Sequence, residues 1–260
     1  MNIDKIIQEY PEDYCAMLEF AYGKGMMSEG GTEAIEEMFK DVHVNQKKCL
    51  DIGFGLAGVA YYLAATFGAD ITGLEINPWM AIQANKKISA ALKNLLHFVT
   101  YENFPKIPFN NNEFDIVYSK GVLVHLQDKQ ETFNEMYRVL KPRGSLVIND
   151  WLSPSNNLWS DGVKKLCETE DLTLFATSEQ GYLTLIERAG FQNIRTKNVS
   201  MQYSNYNFQI AEKLRDKKIA NVFQKKFSKK LWRDSVEGYQ LISDAMKNNE
   251  IIVMNMYAEK

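Results

Sequence analysis

The sequence predicts an α/β fold in which a mostly parallel sheet lies between two layers of helices. Strand-like and helix-like patterns alternate strictly from residue 49 to residue 149, and such alternation implies parallel strands joined by right-handed crossovers. A glycine cluster follows the first strand, where the chain must turn sharply into a helix. The length of 260 residues, with 45% hydrophobic and 24% charged residues, allows one large core without disulfides.

Hydrophobic periodicity predicts the elements of this core. Val59–Phe67 has four apolar residues on one helical face, and Pro78 occupies a favourable first-turn position. Lys141–Gly144 is predicted to be a turn that ends the last core helix. In chain order the predicted core elements are strand Cys49–Ile52, helix Val59–Phe67, strand Asp70–Ile76, helix Pro78–Leu92, strands His97–Tyr101 and Phe114–Ser119, helix Asp128–Leu140 and strand Ser145–Asn149.

Two accessory regions flank the core. The second contains a predicted helix Ser178–Ala189, a strand Asn193–Ser200, a long helical region Phe208–Lys247 and a final strand Glu250–Tyr257. We therefore expect a single domain with an N-terminal cap (1–46), a cofactor-binding core (47–150) and a region of substrate lid and final strands (151–260). Ligands of open α/β sheets bind beyond the carboxyl ends of the strands, so both flanks are predicted to form helical lids there.

Composition argues against several classes of protein. The net charge of −3 gives no reason to expect nucleic acid as a partner. The three cysteines have no metal-ligand or disulfide spacing, and no metal site is predicted. The start of the chain, MNIDKIIQEY, does not resemble a signal peptide, and no apolar run is long enough for membrane insertion. A cytoplasmic protein with a small-molecule substrate is expected, and the oligomeric state is left open.

The segment KCLDIGFGLAG carries a G-x-G-x-x-G spacing at Gly53, Gly55 and Gly58. This spacing follows a strand and opens a helix, as nucleotide-binding loops do. Glu75 lies 20 residues beyond Gly55, at the end of the next predicted strand, where a carboxylate accepts hydrogen bonds from a ribose diol. NAD and S-adenosylmethionine (AdoMet) both present such a diol, so these residues alone do not choose between the two cofactors.

Asp51, at the end of the first strand, favours AdoMet. A carboxylate at that position would repel the pyrophosphate of NAD and attract the sulfonium and ammonium groups of AdoMet. The 52 residues ahead of the glycine loop also differ from the usual dehydrogenase arrangement, in which the loop lies near the start of the chain. An NAD-dependent oxidoreductase remains the alternative at this point.

Four segments together resemble the class I AdoMet-dependent methyltransferases: LDIGFGLAG, GLEIN, FDIVYSKGVLVHL and VLKPRGSLVIND. The resemblance implies a Rossmann-like methyltransferase sheet of seven strands whose last strand is antiparallel, and Glu250–Tyr257 is the candidate for that strand. It also implies AdoMet as cofactor and S-adenosylhomocysteine as product. The cofactor contacts that it implies are Gly53 and Gly55 at the methionine moiety, Glu75 at the ribose, Ile76 and Trp79 at the adenine ring, and Glu102 with Asn103 at the adenine amino group.

A narrower resemblance links FAYGKGMMSEGGTEAIEEMF, ahead of the glycine loop, to the phosphoethanolamine N-methyltransferases and related small-molecule methyltransferases. It implies that Met27 and Ser28 contact the methionine end of the cofactor, and that Lys120 replaces a cofactor-contacting arginine. Tyr10 and His125 match the tyrosine–histidine pair that closes the active site of those enzymes and handles the amine proton.

The sequence departs from those enzymes in the acceptor pocket. Gly121 corresponds to the acid that they use near the substrate amine. Their phosphate-binding tyrosines and basic residues correspond to Trp151, Glu170, Leu172 and Ile242, none of which can bind a phosphate. The resemblance therefore implies the catalytic frame without the phosphobase pocket.

The residues after the core also indicate an acceptor site. Trp151 directly follows a predicted core strand, and its aromatic face could bind a methylated ammonium. Asp150 beside it is a candidate for negative charge at the acceptor. Lys213–Arg233 carries nine basic residues and one acid, which fits a solvated lid helix or a surface for an anionic ligand or membrane.

We therefore expect an AdoMet-dependent methyltransferase that acts on a small-molecule amine. His125 would take the proton of the amine, because an imidazole near neutral pKa suits that role. The alternative within the class is O- or C-methylation of a hydrophobic metabolite. The alternatives from other classes are an NAD-dependent oxidoreductase and an AdoMet-binding protein without catalytic activity.

Overall fold

The computed structural model describes residues 3–260, and the two residues before them are left out of the description. Helices and strands alternate through the middle of the chain, and helices dominate both flanking regions. In chain order the elements are α1 Ile3–Glu9, α2 Glu12–Tyr22, α3 Gly31–Phe39, β1 Lys48–Ile52, α4 Gly58–Phe67, β2 Asp70–Glu75, α5 Pro78–Lys87, β3 Leu96–Thr100, β4 Phe114–Lys120, a 3₁₀ turn Leu123–His125, α6 Gln130–Val139, β5 Leu140–Leu152, α7 Asp161–Glu170, α8 Glu179–Arg188, β6 Gln192–Asn198, α9 Ser200–Arg215, α10 Lys217–Lys226, α11 Lys229–Lys247 and β7 Ile252–Glu259.

The strands form one seven-stranded sheet in the order β3-β2-β1-β4-β5-β7-β6. β1 pairs in parallel with β2 and β4, and the parallel pairing continues outward to β3 and β5. β7 is inserted between β5 and β6 and is antiparallel to both. The predicted seven-stranded sheet with an antiparallel last strand is confirmed.

The segment Lys141–Gly144 was expected to be a turn, and that prediction is wrong. It lies inside β5, which extends over 13 residues. Leu140 pairs with Phe114 before the register shifts, and regular pairing resumes where Ile116 meets Ser145. Arg143 takes a left-handed φ of 65° in the irregular stretch, so the turn-like residues form a β-bulge within the strand.

Two predicted helices differ in extent. α5 ends at Lys87 rather than Leu92, because Ile88 already has an extended backbone conformation with ψ 117°. The predicted helical region Phe208–Lys247 is divided into three helices. The side chain of Asp216 caps α10 by accepting from two backbone N–H groups, and the hydroxyl of Ser228 caps α11 by accepting from the N–H of Leu231, so capping residues set the divisions.

Both faces of the sheet are covered by buried apolar residues. On one face Phe133 and Met136 of α6 and Tyr182 of α8 pack against β4 and β5. On the other face α3, α4 and α5 pack against β1 and β2, with Leu63 and Met38 fully buried. The result is the three-layer arrangement that the alternating pattern predicts.

The N-terminal cap and the C-terminal helices form one shared lid rather than two separate ones. Leu18 and Tyr22 of α2 share an apolar cluster with Leu214 of α9, Phe223 of α10 and Tyr239 of α11. α9 and α11 also pack against each other. The lid therefore joins the beginning and the end of the chain above the carboxyl ends of the parallel strands.

The described residues contain three free cysteines. Over residues 3–260 no helix combines the length and the apolar character that a membrane crossing requires. Within the same range no group of three or more His, Cys, Asp or Glu side chains is arranged to hold a metal ion.

Candidate active site

A cavity with about 900 Å³ of empty space, its mouth included, opens at the carboxyl ends of β1, β2 and β4. Helix α1 and the residues after β3 close it from above. The wall contains polar groups near the glycine loop and apolar side chains beyond it. Its lining residues include Ile6, Ile7, Tyr10, Met27, Ser28, Gly53, Gly55, Glu75, Ile76, Met80, Tyr101, Phe104, Lys120, Gly121 and His125.

Glu75 is held in this wall by backbone donors. Its Oε2 accepts from the N–H of Gly55 at 2.8 Å, and its Oε1 accepts from the N–H of Asn77 at 2.9 Å. Burial raises the pKa of the carboxyl, and these N–H groups oppose that rise. Each oxygen keeps a further lone pair, so a fixed carboxylate faces the cavity and can accept from a diol.

The first two glycines of the loop, Gly53 and Gly55, line the cavity, and the third, Gly58, is covered by the N-terminal cap. A Cβ on Gly55 would lie 2.9 Å from Cγ of Met27, and the residue has a φ of +55°. Gly58 is the first residue of α4, and its N–H donates to the carbonyl of Gly25 at 2.9 Å. A Cβ on Gly58 would lie 2.6 Å from the same carbonyl oxygen. The N-terminal cap therefore occupies the start of α4, where a dinucleotide pyrophosphate would bind.

Lys120 connects the core to the cap. Its Nζ donates to Oγ of Ser28 at 2.7 Å and to the carbonyl of Glu29 at 2.8 Å. Burial lowers the pKa of this ammonium to about 8, and the carboxylates of Glu29 and Asp150 oppose that shift. Ser28 and Lys120 thus form a polar edge of the cavity that suits the carboxylate of an amino acid.

Tyr10 and His125 meet at the boundary of this cavity and a second one. The Tyr10 hydroxyl lies 3.1 Å from Nε2 of His125, and the two rings are arranged edge to face at 5.6 Å. Burial lowers the pKa of His125 to about 4, with Glu9 and the backbone of Thr173 opposing. Burial also raises the pKa of the Tyr10 phenol. The pair at neutral pH is therefore a neutral imidazole and a protonated phenol.

The second cavity, with about 800 Å³ of empty space, lies between the cap and the C-terminal helices. It shares Tyr10, Met27, Ser28, Gly121 and His125 with the first cavity, so the two meet at the predicted catalytic pair. Its wall combines aromatic and aliphatic side chains with two acids. Its further lining residues include Tyr14, Tyr22, Glu29, Trp151, Cys167, Glu170, Leu172, Gly238, Tyr239 and Ile242.

The two acids of the second cavity have aromatic donors. The indole N–H of Trp151 donates to Oε1 of Glu29, which is 4% exposed. The hydroxyl of Tyr14 donates to Oε2 of Glu170 at 3.2 Å. Burial raises the pKa of Glu170, the Tyr14 hydrogen bond opposes that rise, and Asp234 adds to it.

Asp51 and Asp150 lie outside both cavity walls. Burial raises the pKa of Asp51 to about 8, and the Tyr118 hydroxyl opposes that rise without completing a well-formed hydrogen bond. A carboxyl with that pKa is largely neutral at pH 7, so it attracts the sulfonium and ammonium groups of AdoMet less than the sequence predicted. Asp150 accepts from the hydroxyl of Tyr182 at 2.8 Å and from the N–H of Trp151 at 2.9 Å, inside the fold.

Three other predicted cofactor contacts are also absent from the described walls. Trp79 packs beside Met80 and Cys15 in a small apolar cluster, and it is Met80 that faces the cavity. Glu102 and Asn103 are exposed beyond β3. Tyr101 and Phe104, on either side of them, line the cavity instead.

The sequence analysis missed lining residues in both cavities. Ile6 and Ile7 of α1 cover the first cavity. Two adjacent isoleucines belong to no motif, so nothing in the sequence marks them as cavity residues. Tyr14 and Glu29 line the second cavity. Each lies close in sequence to a predicted residue, Tyr10 or Ser28, so proximity to a motif was the one available signal.

The basic segment Lys213–Arg233 does not contribute to either described wall. Its central helix α10 packs on α2 through Phe223, and the Nζ of Lys226 lies 5.8 Å from the ring centroid of Phe20. The second cavity is instead lined by residues beyond this segment, including Gly238 and Tyr239. The segment is therefore part of the lid and does not line either described cavity.

Comparison with known proteins agrees with this geometry. A methyltransferase domain family model matches residues 50–148. The chain is 30% identical over 246 residues to the phosphoethanolamine N-methyltransferase of Plasmodium falciparum (isolate 3D7), covering 92% of this chain and 90% of the relative. It is 25% identical over 245 residues to phosphoethanolamine N-methyltransferase 3 of Arabidopsis thaliana, covering 89% of this chain and 46% of that relative, so it spans about half of the plant protein.

Among solved structures, the chain resembles phosphoethanolamine N-methyltransferase 2 of Haemonchus contortus in complex with phosphomonomethylethanolamine and S-adenosylhomocysteine. The TM-score is 0.86 at 21% identity, and the match covers 98% of this chain and 59% of that one. The prediction of an AdoMet-dependent methyltransferase is confirmed, and the NAD-dependent alternative is not supported. The chain belongs to the class I AdoMet-dependent methyltransferases, in the family of the phosphoethanolamine N-methyltransferases.

Proposed function

We propose that this enzyme methylates the nitrogen of a small-molecule amine and that Tyr10 and His125 handle the amine proton. The observation that carries the proposal is that this hydrogen-bonded pair borders both cavities. A proton-handling pair is useful where methyl donor and acceptor meet. The relatives named as N-methyltransferases support the same class of acceptor.

The first cavity fits AdoMet. Glu75 is available to the ribose diol, and the backbone of Gly55 lines the same cavity. Ser28 and Lys120 are available to the methionine carboxylate, and Met80 belongs to the apolar wall that suits adenine. When bound, AdoMet supplies an electrophilic methyl group on a sulfonium sulfur.

The pair can remove one proton from the acceptor. An amine attacks through its lone pair only when neutral, and its nitrogen becomes positively charged as the new N–C bond forms. The Tyr10 oxygen is available to accept a proton from that nitrogen while the Tyr10 hydroxyl passes its own proton to Nε2 of His125. The pKa of His125, lowered by burial to about 4, keeps the imidazole neutral at physiological pH, with one ring nitrogen free to accept a proton. The same shift makes this imidazole a weaker base than the near-neutral one that the sequence predicted.

The burial of the pair also excludes water and fixes its geometry. Tyr10 follows α1 directly, so docking of the N-terminal cap brings the phenol to His125. A held nucleophile and a dry site account for a large share of the rate in such reactions. O- or C-methylation of a hydrophobic metabolite has less support, because it leaves the two acids of the second cavity without a role.

Transfer of labelled methyl from AdoMet to a panel of amines, amino acids, phosphobases and phenols tests the proposal. We expect the best acceptors to be amines and the product to carry the methyl on nitrogen. Phenols or carbon acids as the best acceptors would overturn the assignment of N-methylation.

We infer a cytoplasmic location as well. Three free cysteines support a reducing compartment, because thiols persist there. Fractionation of the producing cells with an antibody against the protein would test this, and enrichment in an extracellular or envelope fraction would contradict it.

A further inference from the structure

The second cavity has a charge pattern that identifies its ligand more closely. Among its described lining residues are the carboxylates Glu29 and Glu170, and no Lys or Arg. A phosphate group in this wall would meet negative charge and no permanent cation. A positively charged group would meet carboxylates and the faces of tyrosine and tryptophan rings, which attract cations.

The two acids differ in whether a positively charged side chain of the protein lies near them. Glu29 receives the Trp151 indole N–H, and the Lys120 ammonium lies against its backbone carbonyl. The charge of Glu29 also raises the pKa of Lys120, so the two side chains interact electrostatically. In the protein itself, Glu29 therefore has a cation nearby.

Glu170 has no such cation among the described residues. Its Oε2 accepts from the neutral Tyr14 hydroxyl, and no Lys, Arg or His of residues 3–260 forms an ion pair with it. Gly238 of α11 faces Oε1, and a Cβ there would lie only 2.7 Å away. The absence of a side chain at Gly238 keeps this oxygen accessible from the cavity.

Glu170 lies at the end of the cavity away from the methyl-transfer position. The ring of Tyr10 is 5.6 Å from His125 on one side and 5.8 Å from the ring of Tyr14 on the other. Tyr14 in turn reaches Glu170 through its hydroxyl. Two tyrosine rings therefore line the wall between the histidine and the uncompensated carboxylate, and all four residues face the same cavity, so a short alkyl chain along this wall would connect the two ends.

We propose that the acceptor is a diamine or a related amine with a second ammonium group and without a phosphate. The reacting amine lies beside Tyr10 and His125, and the second ammonium binds Glu170 among the rings of Tyr14 and Tyr239. This inference rests on the proposed N-methylation. The inference adds to that function by assigning Glu170 as the specificity-determining residue of the second cavity.

Matched acceptors test the proposal. Pentylamine and 1,5-diaminopentane have the same reacting end, and phosphoethanolamine carries the opposite charge at its far end. With the wild-type enzyme we expect kcat/KM for the diamine to exceed that for pentylamine by about tenfold or more, since hydrogen bonds to charged groups are worth this much. Phosphoethanolamine should be the poorest of the three.

Variants of Glu170 supply the second part of the test. In Glu170→Gln the ratio of diamine to pentylamine kcat/KM should fall towards one, and Glu170→Arg should shift the preference towards phosphoethanolamine. Glu168→Gln, which removes an exposed acid two positions earlier on α7, is the matched control and should keep the wild-type ratio. Thermal unfolding of each variant checks that it is folded.

Calorimetry separates failure of this inference from failure of the proposed function. The protein loaded with S-adenosylhomocysteine should bind 1,5-diaminopentane about tenfold or more tightly than pentylamine, and Glu170→Gln should remove that difference. If this binding is seen without turnover of any amine, the proposed N-methylation is wrong and the ammonium site stands. If phosphoethanolamine is the best wild-type acceptor, or if Glu170→Gln keeps the diamine preference, the inference is overturned.

Discussion

The two cavities are built in different ways, although they share a boundary. The first is formed largely at the ends of neighbouring strands, by residues such as Gly53, Glu75 and Lys120. The second is formed largely by helices from distant parts of the chain, with Tyr14 on α2, Glu170 on α7 and Tyr239 on α11. A pocket formed by a sheet edge keeps the same frame when surrounding helices change, while a pocket formed by lid helices changes with each substitution in them.

This difference explains which function each cavity is expected to carry. The cofactor is common to all members of a methyltransferase family, so its site belongs on the frame. The acceptor varies between members, and its site lies where side chains can be exchanged without disturbing the sheet. The predictions below test this division by asking whether each change affects one cavity, the other, or the boundary.

The largest effect on turnover is expected at the boundary between the two cavities, where Tyr10 and His125 lie. His125→Ala should lower kcat by about 10²–10⁴-fold, because it removes the group that we propose accepts the amine proton. AdoMet affinity measured by calorimetry should change far less. His97→Ala is the matched control, because His97 is half-exposed on β3 and pairs with Asp70 at the surface. Full turnover in both His125→Ala and Tyr10→Phe would show that the pair is not part of the mechanism.

The next effect should be confined to the first cavity. Glu75→Ala should weaken AdoMet binding by about 1–3 kcal/mol, the cost of leaving polar partners unsatisfied. The KM of the acceptor, measured at saturating AdoMet, should be nearly unchanged. Glu102→Ala serves as a comparison, since Glu102 is exposed and lies outside the cavity wall. Unchanged affinity in Glu75→Ala, or a loss in Glu102→Ala, would contradict the site described here.

Asp51 tests the difference between a frame residue and a cofactor contact. Its pKa is raised by burial from 3.8 to about 8, so the folded state binds more protons than the unfolded state between these values. Stability therefore falls as the pH rises through that range. Asp51→Asn removes this dependence and should raise the unfolding temperature at about pH 9, by roughly 2–4 °C for each kcal/mol gained.

The gain in Asp51→Asn should shrink towards about pH 5 and vanish below about pH 4, where the carboxyl is neutral in both states. AdoMet affinity should not change. If Asp51→Asn has the same stability as the wild-type protein at every pH and binds AdoMet poorly, then Asp51 is a cofactor contact.

The smallest effect should be confined to the second cavity. Trp151→Phe removes the N–H that bonds to Glu29 and keeps most of the ring. This bond joins two residues of the cavity wall, so its loss loosens Glu29 without removing a contact to the acceptor, and the KM of the acceptor should rise by only a few-fold. Calorimetry should detect no change in AdoMet affinity. A larger effect on AdoMet than on the acceptor would contradict the separation of the two cavities.

Much of the first cavity was predictable because its residues follow strands. Gly53 and Gly55 follow β1, Glu75 ends β2 and Lys120 ends β4, and the ends of neighbouring parallel strands meet at one sheet edge. The role of Asp51 could not be read from the sequence for a related reason. Its position in the chain is next to the loop, but the side chain lies inside the fold, and the sequence does not specify which side of the strand faces a ligand.

The second cavity was predictable only in part. Trp151 follows β5, so the same rule identified it. Glu170 ends a helix that the sequence analysis did not predict, and Tyr14 lies in a helix whose packing partner is more than 190 residues away. Periodicity identifies the buried face of such helices without identifying what that face contacts.

The sequence by itself determined the class of fold, the cofactor and the order of the core elements, because the alternation of strands and helices and the residues of the glycine loop are local features. Only the tertiary structure decided that Gly58 is covered by the cap and that Glu170 lines the second cavity without an ion-pair partner among residues 3–260. Each of these facts joins residues that are far apart in the chain. Contacts of that kind depend on how whole helices pack, and local sequence does not encode them.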